Sequence, residues 1–452
     1  MDSWARQNFR PLASTVESVS GPPVRWFARE RVLILFWLAA SATVLIMAVG
    51  VPAGWDAGIY EKAIQSVRHG VDPYAAGLAE QRAYINRPAS RNAEHAPFTY
   101  VYSPLTVPVL RLLSWLPDGL LRAFFWTALA VGFFVQLWAG WQFADPRERS
   151  WLIWLLPAVA FFPGLLTDDV ILSGNVSYLL YGLVLAAAVP GWKRGRWFWF
   201  YLAVLAASFF KVQLLTLLAF PVLVGKRQWL PACGSAAVAL SAMATQALLW
   251  PQLFREYLAT IRVMFDLIPD FGYGPAGILG RFLWKHGLPY ASETSLMYLA
   301  FAGTLGLVLL FFSYQVREDV FSRDLWLPVA LVGTFLLNPR IMKYDMAALT
   351  IPMLLIAWRG LRAVFQNDSD SAASSSRVLL LVGAGCFLVP NLMTIFGPAR
   401  WPVELLVMLT VFALGARSLW QPEVRPLSLA SPAELIVAPA ELIELAIPKE
   451  MV

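Results

Sequence analysis

The chain has 452 residues, of which 58% are hydrophobic and 14% charged, and its net charge is +6. A soluble globular domain carries about 25% charged residues. The deficit, with repeated apolar runs, excludes an ordinary soluble enzyme and indicates an all-α polytopic membrane protein. The 20 Trp and 29 Phe fit a membrane enzyme or a transporter and choose neither. Cys233 and Cys386 both sit inside apolar runs, so no disulfide framework is expected.

Residues 1–30 are polar and proline-bearing, without an early apolar core, and read as a cytoplasmic segment rather than a cleaved signal peptide. The run RVLILFWLAASATVLIMAVG (31–50) is long enough to span and opens a multispan membrane domain over 31–417. Next comes a long outer loop, 51–103, with a helical stretch at 57–69 ended by Gly70. Further apolar stretches fall at 105–116, 120–142, 151–164, 171–190, 197–210, 212–225, 230–250, 296–316, 325–338, 345–358, 378–397 and 401–416. The first of these reads as a re-entrant or surface helix before the second span. Together they predict about 12 spans at the ~20-residue scale. A second outer loop, 251–293, holds a predicted surface helix over 254–267 and the glycine-rich PDFGYGPAG (269–277). QNDSDSAASSS (366–376) is a flexible linker, and 418–452 a cytoplasmic tail.

Lys and Arg set the orientation. Arg6, Arg10, Arg25, Arg29 and Arg31 stand before or at the start of the first span; DPRERS (145–150), GWKRGR (191–196), GKRQW (225–229), REDVFSRD (317–324) and WRGLR (358–362) follow. With these loops and both termini inside, the alternation closes. The unusual polar residues then gather outside: Asp56 and Tyr60; Tyr100 and Tyr102 in FTYVYSPL; Asp168, Asp169 and Asn175 in TDDVILSGNVSYLL; Lys211 and Gln213 at a bend; Arg340, Lys343, Tyr344 and Asp345 in NPRIMKYDMAAL. Ionisable groups at membrane depth are unfavourable, and so mark function by default. Carboxylates, cations and aromatics from separate hairpins suit a charged, sugar-like group.

Each residue also has a plainer reading. Asp56 can N-cap the 57–69 helix, and Asp168 and Asp169 can cap another. Lys211 can snorkel, and Asn175 can pack helices. Arg340 and Lys343 can pair with Asp345 or lipid headgroups, and His95 can serve a structural or solvent-facing role. His69, His95 and His286 lack metal-ligand spacing, and no phosphate-cradling glycine loop is present. No metal, cofactor or nucleic-acid partner is therefore expected.

WDAGIYEKAIQSVRHGVDPY, FTYVYSPLTVPVLRLLSWLP, LSGNVSYLLYGLVLAA, FFKVQLLTLLAFPVLVGKRQW and LLNPRIMKYDMAALTIPML occur in an order that resembles glycosyltransferase family 87. This family of the GT-C superfamily uses polyprenyl-phosphate sugars and includes mycobacterial mannosyltransferases of phosphatidylinositol mannoside synthesis and an arabinofuranosyltransferase. The resemblance runs from about residue 35 to 360, and the order of the motifs carries it. It implies a GT-C-type fold with outer-face loops bearing short surface helices, and an inverting transfer of one sugar, mannose, to a lipid-linked or glycan acceptor at the outer face of a bacterial inner membrane. It places the catalytic base on Asp56. Where some members carry a serine-proline, histidine-containing segment, this chain has NPRIMKYD, so Arg340, Lys343 or Tyr344 takes the histidine's place.

The implied chemistry gives Asp56 the acceptor's proton and gives Lys211, Arg340 and Lys343 the donor phosphate. Tyr60, Tyr100, Tyr102, Asn175, Gln213, Tyr344 and His95 become sugar or acceptor contacts. The rival classes are a flippase or transporter of lipid-linked saccharide, which would place polar residues mid-span or on both sides, and a glycan polymerase or ligase.

Overall fold

The computed structural model describes residues 54–85, 99–144, 173–267, 272–318, 320–365 and 403–420. All regular structure among them is helical. The expected spans at 31–50, 151–164 and 378–397, the tail and the 366–376 linker lie outside the described residues.

Helix α1, Trp55–Arg68, runs over the stretch that the sequence assigns to a helix and stops before Gly70, whose φ is +72°. Ala57, Tyr60, Ala63 and Ile64 form its buried stripe. Its far end is fastened by Arg68, which donates to the carbonyls of Ser114 and Leu116 and pairs with Asp118 at 2.8 Å. α2, Ala75–Ile85, follows a turn in which the Asp72 carboxylate accepts the Tyr74 N–H at 2.7 Å. The apolar stretch at 105–116 is no span: a short 3₁₀ turn at Pro104–Thr106 leads into seven-residue α3, Val107–Leu113.

α4, Asp118–Phe143, packs along α5, Ser177–Arg194. The two backbones nearly touch: a Cβ on Gly132 would meet the Leu179 nitrogen at 2.7 Å, and one on Gly182 the Gly132 oxygen at 2.8 Å. Small residues allow such approach, which replaces the hydrophobic drive that lipid does not supply between helices.

α6, Phe198–Phe210, ends at Lys211, whose backbone is extended. The chain then turns back through a 3₁₀ segment, Val212–Leu218, into α7, Ala219–Val224. Trp197 at the start of the first arm packs its ring 5.9 Å from Phe220 on the second, so the arms are antiparallel and Lys211 is the tip. The bend read from the sequence is this hairpin.

α8, Trp229–Leu249, is followed by amphipathic α9, Pro251–Leu267. α10, Pro275–Lys285, is a helix that the glycine-rich sequence around it did not announce. α11, Ala291–Arg317, leads to α12, Arg323–Leu336, which is buried on every face from Trp326 onward. A four-residue helix α13, Lys343–Met346, and a 3₁₀ turn precede α14, Thr350–Phe365. α15, Val403–Leu419, packs against α12 and α14.

Among the described residues three helices, α4, α8 and α11, are long and apolar enough to cross a membrane. The protein is thus helical with membrane-spanning character. α12, with 14 residues, is about 21 Å long at 1.5 Å per residue, short of a ~30 Å hydrocarbon core. The apolar run at 325–338 is thus too short to cross a membrane alone without tilting or pairing, and it is enclosed by its neighbours.

The two ends of the bundle differ. At the hairpin base Arg317 donates to the carbonyls of Val222 and Gly225, Arg323 lies 4.5 Å over the Trp192 ring, and Arg359 donates to the Asp324 carbonyl. The described residues assigned to catalysis and the donor phosphate, Asp56, Lys211 and Arg340, lie at the tip end.

Candidate functional site

Asp56 stands in the first turn of α1, where a negative charge favours the helix dipole. It is not the N-cap. Gly54 occupies that position without any side-chain cap, and the Ala57 N–H is satisfied by the Ser173 carbonyl at 3.0 Å. The half-buried Asp56 carboxylate accepts a hydrogen bond at Oδ2 from Asn175 Nδ2, at 2.8 Å. Asn175 is therefore placed against the carboxylate, buried between Ser173 and Ser177. Its Oδ1 accepts the Ser177 N–H at 2.9 Å and the Ser177 hydroxyl. Gly174 makes the turn at φ +63°, and a Cβ there would lie 2.8 Å from that of Ala57.

The hairpin tip brings Lys211 to the same end. Its Nζ lies 3.2 Å from Asp345 Oδ1, with both side chains almost wholly buried, and 4.0 Å from the centre of the Tyr344 ring. Asp345 Oδ2 accepts the Met342 N–H at 3.0 Å, and Tyr181 packs beside it with Asn338. The Asn338 side chain in turn accepts the Arg340 N–H at 3.0 Å, fixing the turn that carries Arg340. The cation that the structure sets against Asp345 is Lys211, from the hairpin tip. Lys211 is no snorkelling lysine, being 5% exposed.

Asp56 acts electrostatically on Lys211, Tyr344, Tyr60 and Tyr102, and Arg340 on Lys211, Tyr344 and Tyr102. These residues form one cluster drawn from four separate stretches of chain. Tyr60 and Tyr102 share a hydrogen bond of 2.6 Å between hydroxyls. Burial pushes both phenols well above their ordinary value of about 10. They remain neutral hydrogen-bonding groups in the physiological range.

Tyr100 belongs to the adjoining layer. Its hydroxyl meets that of Thr106 at 2.5 Å and its ring packs on Tyr102 and Tyr74. Ser103 ties this layer to α8 by donating to Gln246 at 2.7 Å. Gln213 is half-buried beside the tip, and among the described residues no hydrogen bond joins its side chain to the cluster. Lys343 begins α13, and only its backbone is described. His95, Asp168 and Asp169 lie outside the described residues.

Sequence reasoning missed Ser173, Ser177, Tyr181 and Asn338. For Ser177 a signal existed: Asn followed two residues later by a backbone donor is the Asx-turn pattern. The others are supplied by helix packing. Among the described residues no group of three His, Cys, Asp or Glu is placed to hold a metal. No protein-family model matches the chain, and no curated protein matches it.

Proposed function

We propose that the protein is an inverting membrane glycosyltransferase of GT-C type, with about 12 spans at the ~20-residue scale. In this proposal it moves a single sugar, mannose, from a polyprenyl phosphate to a lipid-linked or glycan acceptor. The observation that carries the proposal is the half-exposed Asp56 carboxylate, held by a neutral amide at the same end as Lys211 and Arg340.

The Asp56 carboxylate takes the acceptor's hydroxyl proton as the oxygen attacks the anomeric carbon. The new bond forms opposite the breaking carbon–oxygen bond, whose electron pair leaves on the phosphate. One base and one displacement invert the centre, whereas a covalent route would need a second carboxylate as nucleophile. Asp345 does not suit that second role, because it is fully buried and paired. Arg340 takes the growing phosphate charge, with Lys343 on the same turn. Lys211 already has a carboxylate counter-ion, so its part is to hold Tyr344 and Asp345 beside Arg340 and lend its field.

Two further features support this. An apolar cavity of about 370 Å³ runs along the second hairpin arm between α8 and α11, lined by Leu215, Ala219, Cys233, Gly306 and Leu337 among others. Leu215 follows Lys211 by four residues and Leu337 adjoins Asn338, so a lipid tail there would end near the cations. By the positive-inside rule, the arginines at the hairpin base favour a cytoplasmic base and an outward-facing site in this reading.

The test is transfer by purified protein from a panel of synthetic polyprenyl-phosphate sugars to total membrane lipid. Asp56→Asn should lower turnover by roughly 10²–10⁴ while its melting curve stays at wild type. Unchanged turnover in that variant, or no transfer from any donor, overturns the proposal.

A further inference from the structure

The stretch SGNVS, residues 173–177, grips the start of α1 at two points. The Ser173 carbonyl accepts the Ala57 N–H, and the Asn175 amide donates to Asp56, 119 residues earlier in the chain. The amide cannot turn over. Its oxygen is committed to the Ser177 N–H and hydroxyl, so its nitrogen must face the carboxylate. Ser173, Asn175 and Ser177 are all buried, with at most 3% exposure, so the bonds that lock the amide to Ser177 are shielded from competing water. A cation in the same place would neutralise the carboxylate. An amide orients it and leaves its charge intact, and a donor to the ionised form favours that form.

We infer that Asn175 is a positioning residue that aims the Asp56 carboxylate, with Ser177 locking the amide. The inference rests on Asp56 being the base. It replaces the expectation that Asn175 touches sugar or acceptor. Among the described residues, the groups that face Asp56 include Tyr60 on its own helix, Tyr102, Lys211 at the hairpin tip and Tyr344 on α13; Arg340 acts on the last three. Three of these are phenols, and Lys211 is tied to Asp345; the Asn175 bond adds a neutral, directional tie to the carboxylate.

The experiment uses full-length protein in nanodiscs, with a polyprenyl-phosphate mannose and total membrane lipid as probes. Asn175→Leu should lower kcat about 10–100-fold, the range for partners that orient a reactive group, with KM held within about twofold. Ser177→Ala should lose less. Asn175→Asp sets two carboxylates face to face, so its activity relative to wild type should be lowest at neutral pH. That ratio should rise as pH falls, because the protonated side chain donates as the amide did. In the Asp56→Asn background Asn175→Leu should have no further effect. Infrared difference spectra of wild type against Asp56→Asn locate the Asp56 band, and its titration midpoint should move up in Asn175→Leu. A raised KM with unchanged kcat, a flat activity ratio for Asn175→Asp, additive losses, or an unmoved midpoint each overturn the inference. Additive losses with an inactive Asp56→Asn sink this inference alone; a fully active Asp56→Asn sinks the base assignment and this inference with it.

Discussion

Two of the described carboxylates, Asp56 and Asp345, stand at the tip end of the bundle in contrasting surroundings. Asp345 has no exposed surface, meets the Lys211 ammonium with one oxygen and the Met342 N–H with the other, and has Tyr181 packed beside it. Asp56 is half-exposed, sits at a helix N-terminus and is held by a neutral amide. A carboxylate enclosed with a cation is a structural counter-ion, and moving its proton means breaking a buried pair. A carboxylate oriented by an amide at the edge of the cluster keeps its charge within reach of an incoming group. Environments that differ in this way separate the roles of chemically identical side chains.

The largest expected effect comes from breaking the buried pair. Asp345→Ala leaves the Lys211 charge enclosed and should destabilise the protein by about 3–5 kcal/mol, read as a lowered melting temperature and poor recovery from membranes. The double variant Lys211→Met/Asp345→Leu should regain most of that loss, since apolar replacements of similar volume remove both desolvated charges. Asp56→Asn, in contrast, should melt as wild type does. If Asp345→Ala also melts as wild type, the two carboxylates do not differ in the way described.

A smaller effect tests how Asp56 is held. Gly174→Ala places a side chain in a left-handed conformation, at roughly 1–2 kcal/mol, and also drives its Cβ to 2.8 Å from Ala57. Gly195→Ala carries the same kind of backbone strain at φ +68° with open space around it. Both should lower the melting temperature by a few degrees, following the ~1–2 kcal/mol strain. Gly174→Ala alone should also depress turnover, because it displaces the segment bearing Asn175. Equal turnover in the two variants would separate the Gly174 turn from the positioning of Asp56.

The smallest effect at working pH comes from the phenols of the cluster and the layer adjoining it. Burial raises Tyr60, Tyr74, Tyr100 and Tyr102 above the ordinary phenol value. A group whose folded value is raised contributes stability that is whole below the unfolded value of about 10 and is lost as pH climbs beyond it. Each such tyrosine should therefore remove about 1.4 kcal/mol per pH unit above pH ~10, and nothing at pH 7. Melting curves between pH 9 and 11 (on the scale of that ordinary value) should show a steepening decline, made shallower by Tyr60→Phe.

The amino-acid sequence alone set the lengths of the apolar runs that become α4, α8 and α11, the end of α1 before Gly70 and the reversal at Lys211. These are local properties: run length, a left-handed glycine, a lone charge between apolar arms. Run length could not tell how the helix at 325–338 is surrounded; α12 proves to be short and buried on every face from Trp326 onward. Nor could it announce α10, which forms between glycines. The choice of partners was decided by tertiary structure. Lys211 reaches a carboxylate 134 residues away rather than standing open to an anion, and Asn175 reaches Asp56 across 119 residues. Sequence pattern records which residues prefer a helix and which face is apolar. The approach of α4 and α5 through Gly132 and Gly182, and the docking of the SGNVS turn on α1, are made by packing between distant segments, and it is that packing which gives one carboxylate a cation and the other an amide.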